Sequence, residues 1–357
     1  MSADDNVGVT AVRAGFAIDE DALGRWMSAH VSDFAGPIVV EQFRGGQSNP
    51  TYRITTGNGR YVLRRKPPGP ILKGAHAIER EAQVLQALAG TGVPVPQVHG
   101  LCADPAVIGS PFYVRSLVEG RIFWDATIPG VAADERAALF DAMNQTLAQL
   151  HMVDIDAAGL TDFGRPGNYF ERQVRRWSQQ YAEDIDAGRD ADMDRVIDWL
   201  QKNIPDDDGR VALTHGDFRI DNMIFHPSEP RVLAVLDWEL STLGHPGADF
   251  AYHAMMYHMP PDIVAGLGGH NLAGTGIPSE QDYVAAYCRR SGLDGLPDYP
   301  FYRAFVVFRL AAIFHGIKGR VIRGTAASAQ AQERARALPR LTALAWQQVR
   351  AAAGDGV

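Results

Sequence analysis

Two short β-rich runs inside an otherwise helical half of the chain constrain its fold more than any other feature. Residues 211–225 read Val211-Ala212-Leu213-Thr214-His215-Gly216-Asp217-Phe218-Arg219-Ile220-Asp221-Asn222-Met223-Ile224-Phe225. A turn-rich stretch follows, and then Arg231-Val232-Leu233-Ala234-Val235-Leu236-Asp237-Trp238. Met223-Ile224-Phe225 and residues 232–236 flank Pro227-Ser228-Glu229-Pro230, the pattern of an antiparallel hairpin. With the turn centred on Glu229 and Pro230, Asn222 is expected opposite Asp237 at the open end, about 5 Å away at Cα. Asp217 lies in the loop just before that end.

The rest of the chain separates by periodicity. Ile38-Val39-Val40, Thr51-Tyr52-Arg53-Ile54-Thr55, Tyr61-Val62-Leu63-Arg64 and Phe112-Tyr113-Val114 are β-rich, and Gly57-Asn58-Gly59 marks a turn between two of them. Ile78, Ala82, Leu85 and Leu88 recur at helical offsets over residues 75–88. Beyond Glu119-Gly120 the apolar spacing becomes helical, with Leu139, Met143, Leu147 and Leu150 on one stripe and further helices expected over 194–202, 282–290 and 301–314. The expectation is an α+β protein of two unequal lobes. A small antiparallel-sheet lobe with one main helix spans 1–115, a hinge spans 116–120, and a mostly helical lobe spans 121–357.

Charge and cysteine content narrow the function classes. The formal net charge of −8 argues against a general nucleic-acid binder, so an anionic ligand has to be met by a local arrangement of cations, metal and backbone N–H groups. Cys102 and Cys288 are the only cysteines and fit no metal-ligand spacing, which points to a reducing compartment. Residues 1–20 show no basic-then-apolar pattern, and the most apolar stretch, residues 305–314, is interrupted by Arg309. A soluble, cytoplasmic protein that does not engage a membrane is expected.

The island at 211–238 carries the chemistry. An amide oxygen and a carboxylate side by side are hard ligands suited to Mg²⁺, which keeps its other positions for water and phosphate oxygens. A further Asp on a short loop can accept the proton of an attacking hydroxyl. These are the parts of a phosphoryl-transfer site. His215-Gly216-Asp217, Asn222 and the later Asp237 resemble the catalytic segment of the aminoglycoside phosphotransferase family, kinase-like enzymes related to protein kinases. The resemblance implies a protein-kinase-like fold with a catalytic loop at 213–222 and a metal-binding segment at 232–240. Asp217 would be the catalytic base, and Asn222 and Asp237 the magnesium ligands. Asp237-Trp238-Glu239 stands where protein kinases carry Asp-Phe-Gly, and Asp249 resembles a later aspartate that supports the loop.

The same resemblance places nucleotide contacts in the first part of the chain. Gly45, Gly46, Ser48 and Asn49 form a loop between two strand signals, where paired glycines let backbone N–H groups approach phosphate oxygens. Arg64 occupies the place of the usual phosphate-contacting lysine; Lys66, on the same strand face, is the fallback. Glu81 matches that cation's partner, in preference to Glu79, which projects from another side of the helix. Ser116 and Val118 match the hinge positions that meet adenine. The implied cofactors are ATP (or GTP) and Mg²⁺.

Within the family, residues 46–52, 61–69 and 236–244 look closest to a branch fused to acyl-CoA dehydrogenase domains. That implies a small-molecule hydroxyl acceptor such as a hydroxyacyl-CoA. Arg172, Arg175 and Arg176 beside Trp177 are candidates for its phosphates, against the plainer reading of a solvated helix face. An aminoglycoside kinase is disfavoured because the helical half is not conspicuously acidic. A pseudokinase that binds nucleotide without transfer is the other alternative, kept open by Arg64. His245, His253, His258 and His270 match no zinc spacing and are expected to be scattered surface or core residues.

Overall fold

Six strands and two helices build the first part of the chain. In order these are β1 (Val9–Thr10), α1 (Glu20–His30), β2 (Val39–Phe43), β3 (Thr51–Thr55), β4 (Arg60–Arg65), α2 (Ile78–Leu88), β5 (Val98–Cys102) and β6 (Phe112–Ser116). Then come α3 (Ala133–His151), α4 (Tyr169–Glu183), α5 (Ala191–Lys202), β7 (Ala212–Thr214), β8 (Met223–Phe225), β9 (Val232–Val235) and β10 (Thr242–Gly244). The chain ends with α6 (Pro246–Ala254), α7 (Glu280–Arg290), α8 (Tyr299–Ile322) and α9 (Ala329–Ala353). This computed structural model describes residues 8–44, 49–67, 77–165, 167–326 and 329–354.

The chain divides into two compact units. The first comprises Met1–Trp124, Ala157–Leu160 and Asn222–Ser241; the second comprises Asp125–Asp156, Thr161–Asp221 and Thr242–Val357. The first unit holds a six-stranded antiparallel sheet in the order β1-β2-β3-β4-β6-β5. Leu23 and Met27 of α1 join Tyr52, Ile54, Leu63, Phe112 and Val114 of the strands in one apolar core. On α2, Ile78, Ala82, Leu85 and Leu88 form a buried stripe, the arrangement their spacing predicts, and Glu81 lies on that same inward stripe.

The β8–β9 hairpin packs within this first unit. Val235 N donates to Pro94 O at 2.8 Å, and Arg121 and Phe225 exchange two backbone bonds, each 2.8 Å. Its register differs by one residue from the expectation. Met223 pairs with Val235 and Ile224 with Ala234, but Phe225 pairs with Val232, so Leu233 is the extra residue of a bulge. Asn222 therefore accepts from Leu236 N at 2.8 Å, and Asp237 lies one step beyond the pairing.

The second unit is helical around one short strand pair. Each of α5, α7 and α8 begins before the residue that periodicity alone suggested, and α8 runs on to Ile322. Helix α8 buries Phe301, Phe305, Phe308 and Phe314, each burial worth roughly 2 kcal/mol. Pro246 at the first turn and His245 Nδ1, accepting from Gly247 N at 3.1 Å, start α6, whose nine residues are all buried. Strand β7 pairs with β10, with Thr214 opposite Thr242.

Candidate active site

Within the first unit, sheet and helix converge on Arg64. The side chain leaves β4 on the face opposite Arg65, which donates instead to Ile108 O at 3.1 Å and lies over the Tyr52 ring. Arg64 Nε lies 3.3 Å from Glu81 Oε2, and its Nη2 donates to Asp237 Oδ1 at 3.0 Å. Glu81 is 1% exposed. Burial opposes the charge on Arg64, yet Glu81, Tyr113 and Asp237 together hold its pKa above the ordinary arginine value. Lys66 pairs with Glu79 at 2.5 Å, so two separate ion pairs join β4 and its exit to α2.

Asp237 adopts a left-handed backbone, with φ 65° and ψ 60°. Few residues other than Gly, Asn and Asp tolerate that region, and backbone strain of this kind concentrates at functional positions. The strained step swings the chain from β9 into a 3₁₀ turn, Trp238–Leu240, locked by Trp238 Nε1 on Val235 O at 3.0 Å and Ser241 Oγ on Trp238 O at 2.6 Å. Asn222 closes another 3₁₀ turn, Ile220–Asn222, and enters β8. An amide and a carboxylate are thus held at the same end of one hairpin. Arg64 occupies one oxygen of Asp237, and a carboxylate has further lone pairs to offer, so the donor set fits a hard cation that also binds phosphate oxygens. Among the described residues no group of three or more His, Cys, Asp or Glu side chains could hold a metal. A magnesium site of two protein ligands has no need of one.

The other expected nucleotide contacts fare differently. Gly45, Gly46 and Ser48 lie outside the described residues. Asn49 is fully buried, and its Nδ2 donates to Glu239 Oε2 at 3.2 Å, tying the end of that loop to the segment after Asp237 rather than presenting an amide to phosphate. Ser116 gives its backbone N–H to Gln97 O at 2.8 Å, its carbonyl accepts from Arg115 Nη1 at 3.2 Å, and its hydroxyl lies 2.8 Å from His99 Nε2. Val118 follows β6 and is half-buried.

Within the second unit, β7 delivers His215-Gly216-Asp217. Gly216 has φ 79°, a conformation that requires glycine. Asp249 braces this turn from α6: its Oδ2 accepts from His215 N at 2.7 Å and its Oδ1 from Gly216 N at 2.8 Å. His151 Nε2 lies 3.2 Å from Asp249 Oδ2, and His151 Nδ1 lies 2.6 Å from the Tyr287 hydroxyl. Because a carboxylate only accepts, Nε2 carries the proton and Nδ1 accepts from the tyrosine. Burial works against the Asp249 charge, but these donors hold its pKa below the usual carboxylate range.

Asp217 faces a set of donors that sequence reading missed. Tyr252, one helical turn beyond Asp249, donates to Asp217 Oδ1 at 2.6 Å, and Arg219 Nε lies 3.6 Å from the same oxygen. Arg219 also pairs with Asp221. Burial and the Asp217 charge raise the Tyr252 phenol above its ordinary value, so it stays a donor. Arg309 donates to Gly216 O at 3.2 Å, with its guanidinium 5.4 Å from the Tyr252 ring centre and 6.0 Å from that of Trp177. The Arg176 guanidinium lies 5.1 Å from the Trp177 ring centre, and Arg334 sits near enough to Arg219 and Asp217 to feel their charges. Arg309 had a sequence signal: a lone charge in an apolar helical run has to meet something polar. Arg172 turns back to Gly167 O, and Arg175 is exposed.

Three of the four histidines make structural contacts, and His270 is exposed. His245 caps α6 and its Nε2 lies 3.2 Å from Asp208 Oδ2, and His258 Nε2 lies 2.8 Å from Glu280 Oε2. His253 contacts Phe218 O at 3.2 Å and the Tyr283 hydroxyl at 2.7 Å, and burial pushes its pKa down to about 4. Among the described residues no helix is long and apolar enough to cross a membrane.

The phosphotransferase enzyme family profile (APH) matches residues 39–305. Mouse acyl-CoA dehydrogenase family member 10 is 43% identical over 94% of the chain, and the Arabidopsis thaliana protein described as a probable acyl-CoA dehydrogenase IBR3 is 45% identical over 92%. The match covers only 31% and 42% of those two relatives. A crystal structure from Ralstonia eutropha, provisionally described as an aminoglycoside phosphotransferase, is 46% identical with a TM-score of 0.86, over 94% of this chain and 99% of that one. The GDP complex of aminoglycoside 2'-phosphotransferase-IIIa shares the kinase-like fold at 15% identity, with a TM-score of 0.61 over 91% of this chain and 99% of that one.

Proposed function

The chain belongs to the phosphotransferase enzyme family, and from that premise we propose that it transfers the γ-phosphoryl group of ATP (or GTP) to a hydroxyl of a small anionic metabolite, with a hydroxyacyl-CoA as the leading class. The observation that carries the reading is Arg64, one buried cation paired at once with Glu81 of α2 and with Asp237 beyond the hairpin. That arrangement serves little purpose in a purely structural core, where a buried ion pair is a weak source of stability. It suits a site in which a fixed positive charge meets phosphate beside a metal ligand.

In this mechanism Arg64 holds the phosphates, Val118 rather than Ser116 offers backbone groups to the base, and Asn222 and Asp237 would hold Mg²⁺. The ion, when bound, neutralises charge on the phosphate oxygens. Asp217 receives the acceptor's hydroxyl proton as that oxygen bonds to the γ-phosphorus and the bond to the bridging β–γ oxygen breaks, leaving ADP (or GDP). Tyr252 and Arg219 engage Asp217 Oδ1 and hold the carboxylate in place for the acceptor's hydroxyl. Arg219, Arg309 and Arg334 favour an anionic acceptor over a polycation, and the acyl-CoA names borne by the relatives agree with that sign.

Thermal unfolding followed with and without Mg²⁺ tests the proposal. Wild type should gain stability from ATP in a metal-dependent way, and Asp237→Ala should lose the metal-dependent part. Asp217→Asn should keep the shift and lose transfer of labelled γ-phosphate into a metabolite extract. Undiminished transfer by Asp217→Asn would refute the base assignment, and rapid turnover of kanamycin would refute the anionic acceptor.

A further inference from the structure

A narrow slot in the second unit opens beside the partners of Asp217. One wall is polar and consists of Arg219 and Tyr252, the two side chains that engage Asp217 Oδ1. His253 also lines the slot, but both of its ring nitrogens are already engaged, by Phe218 O and the Tyr283 hydroxyl. The other lining residues are apolar: Ile220, Met255, Met256 and Met259, with Val264 and Ala265 from the following loop. The free space is about 20 Å³, slightly more than one water-sized sphere requires. The polar atoms of the slot's polar lining residues are already engaged, by Asp217 at Arg219 and Tyr252 and by Phe218 O and Tyr283 at His253, which leaves a water few partners. A methyl group would meet the side chains of Ile220, Met255, Met256, Met259, Val264 and Ala265.

The slot has a rigid frame and pliable walls. The loop is pinned by Leu267 N on Met256 O at 2.7 Å and by Gly268 N on Met259 O at 2.9 Å. At Gly266 an added Cβ would fall 1.9 Å from Met259 O, so the backbone there lies directly on its neighbour and cannot retreat. The methionine side chains, unbranched and polarisable, can shift to admit a slightly larger group.

We infer that this slot receives the smaller alkyl arm on the acceptor's carbinol carbon. On this inference, which rests on the proposed function, the acceptor is a secondary alcohol. Its oxygen faces Asp217, its short apolar arm enters between Met256, Met259 and Ala265, and its anionic head lies toward Arg309 and Trp177.

The test uses hydroxyacyl-coenzyme A thioesters of fixed hydroxyl position whose carbinol carbon carries hydrogen, methyl, propyl or hexyl. Binding is measured by calorimetry in the presence of Mg²⁺ and a non-hydrolysable ATP analogue, and transfer is measured separately by ADP release. Wild type should bind the methyl compound about fourfold more tightly than the hydrogen compound, the gain expected for one buried carbon. Ala265→Phe should erase that preference, and Met256→Ala should move the optimum to longer arms. Retention of the Mg²⁺·ATP thermal shift by both variants shows that they are folded. The same arm-length dependence in all three proteins overturns the slot, as does failure of every thioester to bind wild type. Binding with the expected dependence but no transfer leaves the slot standing and sinks the proposed function instead.

Discussion

Replacing Asp249 by asparagine isolates what holds the His215-Gly216-Asp217 turn in place. The carboxylate accepts from His215 N, Gly216 N and His151 Nε2, and it is 4% exposed. An asparagine of the same shape has one oxygen, so its NH₂ must point at a donor in either flip. If the NH₂ faces Gly216, that backbone N–H is orphaned while His215 and His151 keep the oxygen. If it faces the other way, His215 N–H is orphaned and His151 must also change tautomer, reversing its bond to the Tyr287 hydroxyl. The first arrangement is the cheaper one. Its cost is one buried orphan donor, about 1–3 kcal/mol, plus the loss of charge from the two remaining bonds, about 1 kcal/mol. Asp249→Asn should therefore lose about 2–4 kcal/mol in urea unfolding of the second unit. Amide exchange at Gly216 should accelerate by at least tenfold, whereas exchange in β3 and β4 should be unchanged. A loss below 1 kcal/mol with unchanged exchange at Gly216 would show that the turn is held by the chain around it and not by Asp249.

Two further substitutions probe the charges. His253 has its folded pKa depressed to about 4 by burial, so the unfolded chain binds the extra proton between that value and about 6.5; stability is complete above the upper value and falls as pH drops toward the lower, by about 3 kcal/mol in all. His253→Asn should flatten the acid limb of stability against pH, and equal slopes for the two proteins would exclude His253 as its source. Arg64→Met should cost about 3 kcal/mol by leaving Glu81 buried without its cation. The loss should be smaller at pH 5 than at pH 8, because the unpaired carboxyl then folds protonated, and Arg64→Met/Glu81→Gln should recover most of it; an additive double variant would deny the pairing.

Much of this was legible in the sequence where one periodic element carries the information. Arg64 and Glu81 are placed by resemblance to the family, and the local patterns agree, since alternation puts Arg64 and Arg65 on opposite faces and the Ile78–Leu88 stripe carries Glu81 inward. Asp217, Asn222 and Asp237 stood out by residue type and spacing. The hairpin register did not, because the Leu233 bulge comes from local twist that no alternation reports. Nor did β10, three residues long and recognisable only through its pairing with β7. Tyr252, His151 and Arg309 act through contacts 35 to 98 residues away in sequence, and only tertiary packing brings such pairs together.

The arginine at position 64 is the departure from the family pattern that the geometry best explains. A lysine presents one compact ammonium, which would have to share a single point charge between two carboxylates. The guanidinium is a planar fork of five donors, and here its Nε faces Glu81 while its Nη2 bonds Asp237. Asp237 needs such support because its left-handed backbone is strained and its side chain is one-third exposed. One rigid cation thus ties Asp237, the proposed magnesium ligand, to Glu81 of α2 without neutralising it completely, since one carboxylate oxygen is left to other ligands. On these grounds Arg64→Lys is not a reversion to a better site: the shorter reach of a point charge would release one of the two carboxylates, and at this position the strained aspartate is the one with more freedom to leave.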